Sequence, residues 1–189
     1  MGRIVVSQFV TVDGVVEDPG GAEAFDRGGW AFAYDRGPEG DKFKLDEVMG
    51  AAALLLGRVT YAGFAEAWPS RTGDFADKFN TMPKFVVSRT LTEPAWTNST
   101  VIAGDAAAEI AALRERTDGD ILVNGSVQLV QTLVEADLVD EYRLMVFPVL
   151  LGAGKRLFGE TPQKPLRLVE TLPVGPDGVV VLTYRPAGA

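Results

Sequence analysis

The chain has 189 residues, a formal net charge of −8 and 47% apolar residues, which suits one globular domain with a sizeable core. It contains no Cys and no His, which excludes Ser-His-Asp and Cys-His catalysis, thiol redox chemistry and disulfides. We also predict no metal site, because zinc sites rely on imidazole and thiolate. Proton chemistry must therefore use Asp, Glu, Tyr, Lys or water.

Charge and hydropathy also limit the partners. An acidic surface repels polyphosphate, so we predict no nucleic-acid partner. The opening stretch MGRIVVSQFV lacks the long apolar region and cleavage site of a secretory signal. No apolar segment approaches the roughly 20 residues needed to span a bilayer. We expect a cytoplasmic protein without a membrane partner.

The first half of the chain alternates between strand-like and helix-like patterns. Apolar β-branched runs indicate strands, and apolar residues at helical spacing indicate helices. A long Gly-, Pro- and Asp-rich segment between them indicates a loop. The predicted elements are a strand at 3–12, the loop at 17–40, a helix at 41–52, a strand at 53–56 and a helix capped by Thr60.

The second half continues the alternation and ends in a hairpin, whose turn chemistry comes from Pro176 and Gly178. We predict one α/β domain over 1–189: a three-layer α/β/α fold with a mixed, mostly parallel sheet and an antiparallel C-terminal hairpin. The predicted elements are strands at 84–88, 99–103, 121–124 and 142–151, helices at 106–115 and 126–136, and hairpin strands at 166–174 and 179–186.

Three predicted strand ends carry residues suited to anions: Gly57-Arg58-Val59-Thr60, Ser88-Arg89-Thr90 and Asn124-Gly125-Ser126. Ligands of such sheets bind outside the carboxyl ends of the strands. Glycine allows close backbone approach, Arg matches phosphate geometry, and a helix N-terminus favours an anion. Neither G-x-G-x-x-G nor a P-loop is present. The pattern predicts a nucleotide with several phosphates.

Four segments extend this pattern: LLLGRVTYAGF, KFVVSRTL, DILVNGSVQLVQTL and DEYRLMVFPVLLGAGKRLF. Together they resemble the dihydrofolate reductase-like superfamily, and most closely its branch with the C-terminal reductase domain of bifunctional riboflavin biosynthesis proteins. The resemblance runs from Val5 to about Tyr184. It implies NADPH as cofactor, with Arg58 at the 2′-phosphate. The adenosine-side phosphates fall on Gly57, Arg58, Thr60, Ser88 and Arg89, and the pyrophosphate and nicotinamide side on Gly125, Ser126 and Val127.

Two motifs depart from the riboflavin enzymes. At the end of the first strand those enzymes carry a motif that resembles Ser/Thr-x-Asp-Gly-Lys, where this chain has Thr11-Val12-Asp13-Gly14-Val15. At the third strand-end turn they carry a motif that resembles Glu-Gly-Gly, where this chain has Asn124-Gly125-Ser126. A phosphoribosyl-pyrimidine would lose a cation and a carboxylate from its site, so we expect a different substrate.

The proton source is left with two candidates, Asp13 and Asp41, besides water. Folate enzymes carry a carboxylate on the helix before Gly-Arg-x-Thr, and Asp41, Asp46 and Glu47 all fall there. Ordinary helix-terminus or solvated roles remain open for these acids, as does a turn role for Asp13.

Three residues are candidate substrate contacts: Trp30, Asn124 and Phe147. The alternating aromatics Trp30, Phe32 and Tyr34 either pin the long loop to the core or face a ligand. Both interpretations remain open.

The first hypothesis is an NADPH-dependent reductase of a small heterocyclic or carbonyl substrate, resembling 5-amino-6-(5-phosphoribosylamino)uracil reductase. The second is a non-catalytic nucleotide-binding or oligomerisation module on the same scaffold. The third is the riboflavin-pathway reductase itself. The apolar strand near residue 145 and the resemblance also favour a homodimer.

Overall fold

The computed structural model describes residues 1–188, which are built around one eight-stranded sheet. The strand order is β4-β3-β2-β5-β1-β6-β8-β7; the first six strands are parallel, and β8 runs antiparallel to both of its neighbours, β6 and β7. The strands are β1 Arg3–Thr11, β2 Ala51–Gly57, β3 Lys84–Val87, β4 Ser99–Ile102, β5 Asp120–Val123, β6 Glu141–Phe147, β7 Leu166–Val174 and β8 Val179–Pro186.

Helices cover both faces of this sheet, which confirms the predicted fold class. Ile4 and Val6 of β1 point to one face, in a core shared with α4 and α5. Val5 points to the other face, in a core shared with α1, α2 and α3. The helices are α1 Gly37–Gly50, α2 Arg58–Ala67, α3 Asp74–Thr81, α4 Ala106–Arg116 and α5 Val127–Glu135.

Helix α1 runs antiparallel to β1. The residue that precedes it, Arg36, places its guanidinium over the Phe9 ring, 5.3 Å from the centroid. Near its end, Glu47 accepts a hydrogen bond from Ser7, two residues earlier on the same face of β1. The start of α1 therefore lies at the carboxyl edge of the parallel strands, where the candidate site is expected.

Several boundaries differ from the prediction. Helix α1 begins four residues earlier than Asp41, with Pro38 in its first turn, a position proline tolerates well. Strand β6 ends at Phe147 because Pro148 cannot donate to a ladder. Thr60 does not cap α2: the N-cap residue is Gly57, without a side-chain hydrogen bond.

Helix α3 was not predicted. It is only 8 residues long and follows Gly73, whose φ is 102°. Its apolar face is short: Phe79 is buried, and Phe75 packs against the same core. So brief a pattern is hard to distinguish from a loop by periodicity alone.

The long loop before α1 contains a short 3-10 helix, Trp30–Ala33. Trp30 is buried, and its indole N–H donates to the Glu17 carbonyl at 2.9 Å. Phe32, in contrast, is 75% exposed. Trp30 therefore packs in the core and holds the long loop against it, which is the first of the two interpretations given for the alternating aromatics. Within residues 1–188, no helix has both the length and the apolar character needed to cross a bilayer.

Candidate functional site

The turns that follow β2 and β5 contact each other at the carboxyl edge. The Gly57 N–H donates to the Gly125 carbonyl at 3.2 Å. A Cβ on Gly57 would lie 2.1 Å from Ser126 Oγ and 3.0 Å from its backbone nitrogen. A Cβ on Gly125, whose φ is +125°, would lie 2.6 Å from Thr60 Oγ1. Two turns this close require glycine, and the Gly125–Ser126 peptide is cis.

Both helices that start from these turns lack a side-chain cap. Gly57 precedes α2 and Ser126 precedes α5, and neither side chain bonds a backbone N–H of its helix. Helix α4 shows the alternative: Asp105 accepts from the Ala108 N–H at 2.9 Å. The first-turn amides of α2 and α5 are therefore left for an external acceptor.

Two arginines stand at the same edge. Arg58 opens α2 and Arg89 follows β3, and both are exposed. No carboxylate within residues 1–188 lies within ion-pair distance of either guanidinium. Ser88 shapes the turn that carries Arg89, since its Oγ accepts from the N–H groups of Thr90 and Leu91.

Asn124 and Val127 flank the Gly125-Ser126 turn. The Asn124 side-chain amide donates to the Ser7 carbonyl at 3.2 Å, which ties the turn to β1. Val127 is half-buried and packs against the core beneath α5. Backbone at this position, more than the Val127 side chain, is what faces the edge of the sheet.

Phe147 lies below the site rather than at its surface. It is fully buried and makes edge contacts with Phe9 and Trp30, at centroid distances of 5.3 and 5.4 Å. These rings fill the space between the sheet and the long loop. We therefore assign Trp30 and Phe147 to shaping the floor of the site.

Asp13 fastens two loops together. Its carboxylate accepts from the Thr11 hydroxyl at 2.6 Å and from the N–H groups of Leu151 and Gly152 at 3.2 and 2.8 Å. The hydrogen bond from Thr11 contributes most, and the backbone donors add to it, in lowering the pKa of Asp13 to about 2. The carboxyl group carries no proton at neutral pH.

Asp41 lines an open groove of about 350 Å³ between α1 and α3. Its carboxylate is 68% exposed and pairs with Arg36 at 2.7 Å. The other acids of α1 differ sharply: the Asp46 side chain is 62% exposed, and that of Glu47 only 2%. The groove is lined by Arg36, Asp41, Lys44, Leu45 and residues 72–75.

Sequence reasoning missed a buried polar cluster beneath this groove. Lys44 Nζ donates to Ser7 Oγ at 2.8 Å and to Glu47 Oε2 at 2.5 Å, and Ser7 Oγ donates to Glu47 Oε2 at 2.9 Å. The i, i+3 spacing of Lys44 and Glu47 was visible, but an exposed helix pair has the same spacing. The one further signal was Ser7, which interrupts an apolar strand.

The described part of the chain holds no group of three or more His, Cys, Asp or Glu arranged for a metal ion. The arrangement at the carboxyl edge is instead suited to an anion with several phosphates: two uncapped helices, two close turns and two arginines.

Comparison with known sequences identifies the relationship. The chain matches the RibD C-terminal domain over residues 3–180. It belongs to the RibD C-terminal domain family. The chain is also 28% identical over 190 residues to YyaP, an uncharacterised protein of Bacillus subtilis (strain 168), covering 97% of this chain and 94% of YyaP.

Solved structures show the same fold. A protein assigned to riboflavin biosynthesis from Shewanella sp. PV-4 aligns with a TM-score of 0.77 at 24% identity, covering 97% of this chain and 98% of that one. Dihydrofolate reductase from Enterococcus faecalis, complexed with NADP(H), aligns with a TM-score of 0.65 at 16% identity, covering 98% and 96%. Both alignments show that this chain shares the fold of these proteins.

Proposed function

We propose that this member of the family is an NADPH-dependent reductase of a small heterocyclic or carbonyl substrate. The observation that carries the proposal is the pair of turns at Gly57 and Gly125, each opening onto an uncapped helix. Helices α1 and α3 also begin without a side-chain cap, so it is the contact between the two glycine turns that distinguishes the starts of α2 and α5. A polyphosphate ligand would satisfy the free amides.

The cofactor contacts are assigned by position. Gly125, Ser126 and Val127 would hold the pyrophosphate and nicotinamide side; Gly57, Thr60, Ser88 and Arg89 would hold the adenosine side. Arg58 would bind the 2′-phosphate, because its guanidinium has no internal carboxylate and Arg binds phosphate bidentately. When bound, NADPH supplies the hydride for the reduction.

The groove between α1 and α3 would take the substrate, and its charges favour one without a phosphate. Arg36 is paired with Asp41, and Lys44 with Glu47. Val15 stands at the position of the lysine in the motif of the riboflavin enzymes, and it is fully buried. No cation in the groove is left to neutralise a phosphate. Asp41, exposed at the mouth, would accept a hydrogen bond from a substrate amino or hydroxyl group.

Asp13 is not the proton donor in this proposal. At neutral pH it is ionised and occupied by three donors. We assign it the structural role of joining the end of β1 to the loop after β6. Asn124, whose amide is turned to Ser7, would support the substrate side through the backbone of β1.

The test of the proposal is a titration of the protein with NADPH and NADH, monitored by quenching of its three tryptophans. We expect NADPH to bind more tightly. Arg58→Ala should weaken NADPH roughly 10- to 100-fold, since a hydrogen-bonded charge contributes about 1.5–3 kcal/mol, and leave NADH nearly unchanged. The matched control is Arg116→Ala, an exposed arginine in the last turn of α4. Absence of binding of either nucleotide at millimolar concentration would refute the proposal.

A non-catalytic nucleotide-binding module is the second candidate. The observation in its favour is that Asp13 has no proton to give at neutral pH. It predicts NADPH binding without NADPH consumption across a panel of heterocycles and carbonyl compounds. The riboflavin-pathway reductase itself is tested separately, by rescue of a strain that lacks that enzyme.

A homodimer is part of the proposal. The edge strand β7 exposes Leu168 by 51% and Val169 by 44%, and an edge strand also presents unpaired backbone groups. A second copy pairing at this edge would cover both. Sedimentation equilibrium should give twice the chain mass, and Leu168→Lys should shift it to the chain mass.

A further inference from the structure

The Lys44 ammonium has one N–H left over for a ligand. A lysine carries three donors, and two of those on Lys44 are used by Ser7 Oγ and Glu47 Oε2. No other acceptor in residues 1–188 takes the third. The side chain is 13% exposed and lines the groove between α1 and α3. The remaining N–H is therefore available to a ligand in this groove.

Glu47 holds this ammonium in position. Its side chain is 2% exposed, and its Oε1 is buried without a hydrogen-bond partner. Arg143, 3.5 Å from Oε1, adds positive charge behind it. A buried carboxylate requires such partners, so Glu47 and Ser7 fix the Lys44 amine instead of letting it extend into solvent.

Ser7 links the amine to the cofactor turn. Its hydroxyl contacts Lys44, and its carbonyl accepts from Asn124, the residue before Gly125. The groove and the turn assigned to the nicotinamide side thus meet at one residue of β1. Phe9, the next residue on the same face, lies under the Lys44 ammonium, 5.5 Å from its ring centroid.

The two candidate acids near the site, Asp13 and Asp41, are less suited than Lys44 to donate a proton to the substrate. Asp13 is ionised at neutral pH and enclosed by donors from two loops. Asp41 is exposed and paired with Arg36. The chain has no His.

We propose that Lys44 is a catalytic residue that donates the proton to the imine nitrogen or carbonyl oxygen of a neutral, planar substrate in the groove between α1 and α3. This rests on the proposed reductase function. The substrate double bond gains hydride on carbon and a proton on the heteroatom; the proton leaves Lys44 Nζ, which regains one from water. Ser7 and Glu47 are positioning residues.

The chain contains its own control for this proposal. Lys84 is fully buried, and its ammonium donates to the carbonyls of Asn80, Met82 and Thr97 at 2.7, 2.9 and 3.0 Å. All three of its donors are therefore used. Lys44 and Lys84 are both enclosed, but only Lys44 has a donor available to a ligand.

The experiment observes the ammonium signals of ¹⁵N-lysine-labelled protein by NMR, with uracil and 2-pyridone as probes. Hydrogen-bonded, enclosed ammonium groups exchange slowly enough to be seen, and Lys44→Met and Lys84→Met assign the two signals. The spectra are taken near pH 6, below the pKa of about 8 to which burial lowers Lys84. Each probe is added to about 10 mM, enough to detect millimolar ligands.

We expect the Lys44 signal to shift on addition of either probe while the Lys84 signal stays in place. Benzene, which offers no acceptor, should leave both unchanged. An unchanged Lys44 signal, or equal shifts at Lys44 and Lys84, would overturn the proposal. Neither result depends on NADPH, so failure here is distinct from failure of the nucleotide titration.

Discussion

The two ends of the same parallel strands treat arginine in opposite ways. At the amino edge, Arg3 forms two hydrogen bonds of 2.8 Å with Asp120. Glu141 accepts from Arg143 at 2.7 Å and from Arg185 at 2.8 Å. Every guanidinium of this amino-edge network is paired with a carboxylate of the sheet, Arg3 with Asp120 and both Arg143 and Arg185 with Glu141.

At the carboxyl edge, Arg58 and Arg89 have no such partner in the described chain. Scarcity of acids is not the cause, because the protein has 26 Asp and Glu against 18 Lys and Arg. Helices α2 and α5 also begin at this edge without a side-chain cap. The comparison teaches that charge satisfied internally stabilises the sheet, whereas unsatisfied charge and amides lie at the edge where we propose that the nucleotide binds.

The largest expected effect comes from breaking the amino-edge network. Glu141 is buried, and although burial raises its pKa, hydrogen bonds from Arg185 and Arg143 outweigh this and the net pKa is lowered. Glu141→Ala would remove the carboxylate partner of Arg185 and the nearest one of Arg143. Arg143 would keep only Asp120 and Glu47, at 3.4 and 3.5 Å. We expect a loss of about 3–5 kcal/mol in the free energy of unfolding, measured by urea denaturation.

The control for this change is Asp46→Ala. Its carboxylate is 62% exposed and pairs only with Lys42, one turn earlier on α1. An exposed i, i+4 pair contributes about 0.3–0.5 kcal/mol, so stability should barely change. Equal losses in the two variants would show that burial of the amino-edge network does not matter.

The next effect comes from disrupting the contact between the two glycine turns with an added Cβ. Gly57 has φ −76° and ψ 158°, a conformation open to any residue, so Gly57→Ala tests space alone. The new Cβ would lie 2.8 Å from Ser126 Cβ and 3.0 Å from its nitrogen, which rotation of the hydroxyl cannot relieve. We expect about 1–3 kcal/mol of destabilisation and at least tenfold weaker NADPH binding, measured by denaturation and fluorescence titration.

Gly63 is the matched position in α2, where an added Cβ meets nothing within 4 Å. Gly63→Ala should stabilise the protein by about 0.5–1 kcal/mol, since alanine is the better helix former, and leave NADPH binding intact. Should Gly57→Ala behave like Gly63→Ala, the close approach of the two turns has no role in binding.

Features of the fold and the site could be predicted from sequence when they depend on residues close together in the chain, and not when they depend on residues far apart in it. The sheet, its hairpin and the strand-end turns at Gly57 and Gly125 follow from local pattern, because parallel strands place their carboxyl ends at one edge. Glu47 was one of three equivalent acids on a predicted helix. Only the fold decides which of them turns inward, through contacts with Ser7, 40 positions away in sequence.

The same limit explains Trp30 and Phe147. Alternating aromatics in a loop and an aromatic at a strand end are compatible with core or ligand contact, and the sequence offers no means of choosing. Packing decides: both side chains are at most 5% exposed and lie edge to face. Burying a large apolar side chain lowers the free energy of the folded protein, and here the core, not a ligand, covers both rings.

The last effect tests a buried lysine whose charge is satisfied by carbonyls instead of a carboxylate. Burial lowers the pKa of Lys84 from 10.5 to about 8. Between pH 8 and 10 the unfolded chain thus holds a proton that the folded chain releases, so stability should rise with pH in this window. Above pH 10 burial of Tyr142, which raises its pKa to about 12, acts in the opposite direction. Urea denaturation across the window should show a shallow rise for the native sequence and a flat profile for Lys84→Met; a rise that persists in the variant would assign the effect to other groups.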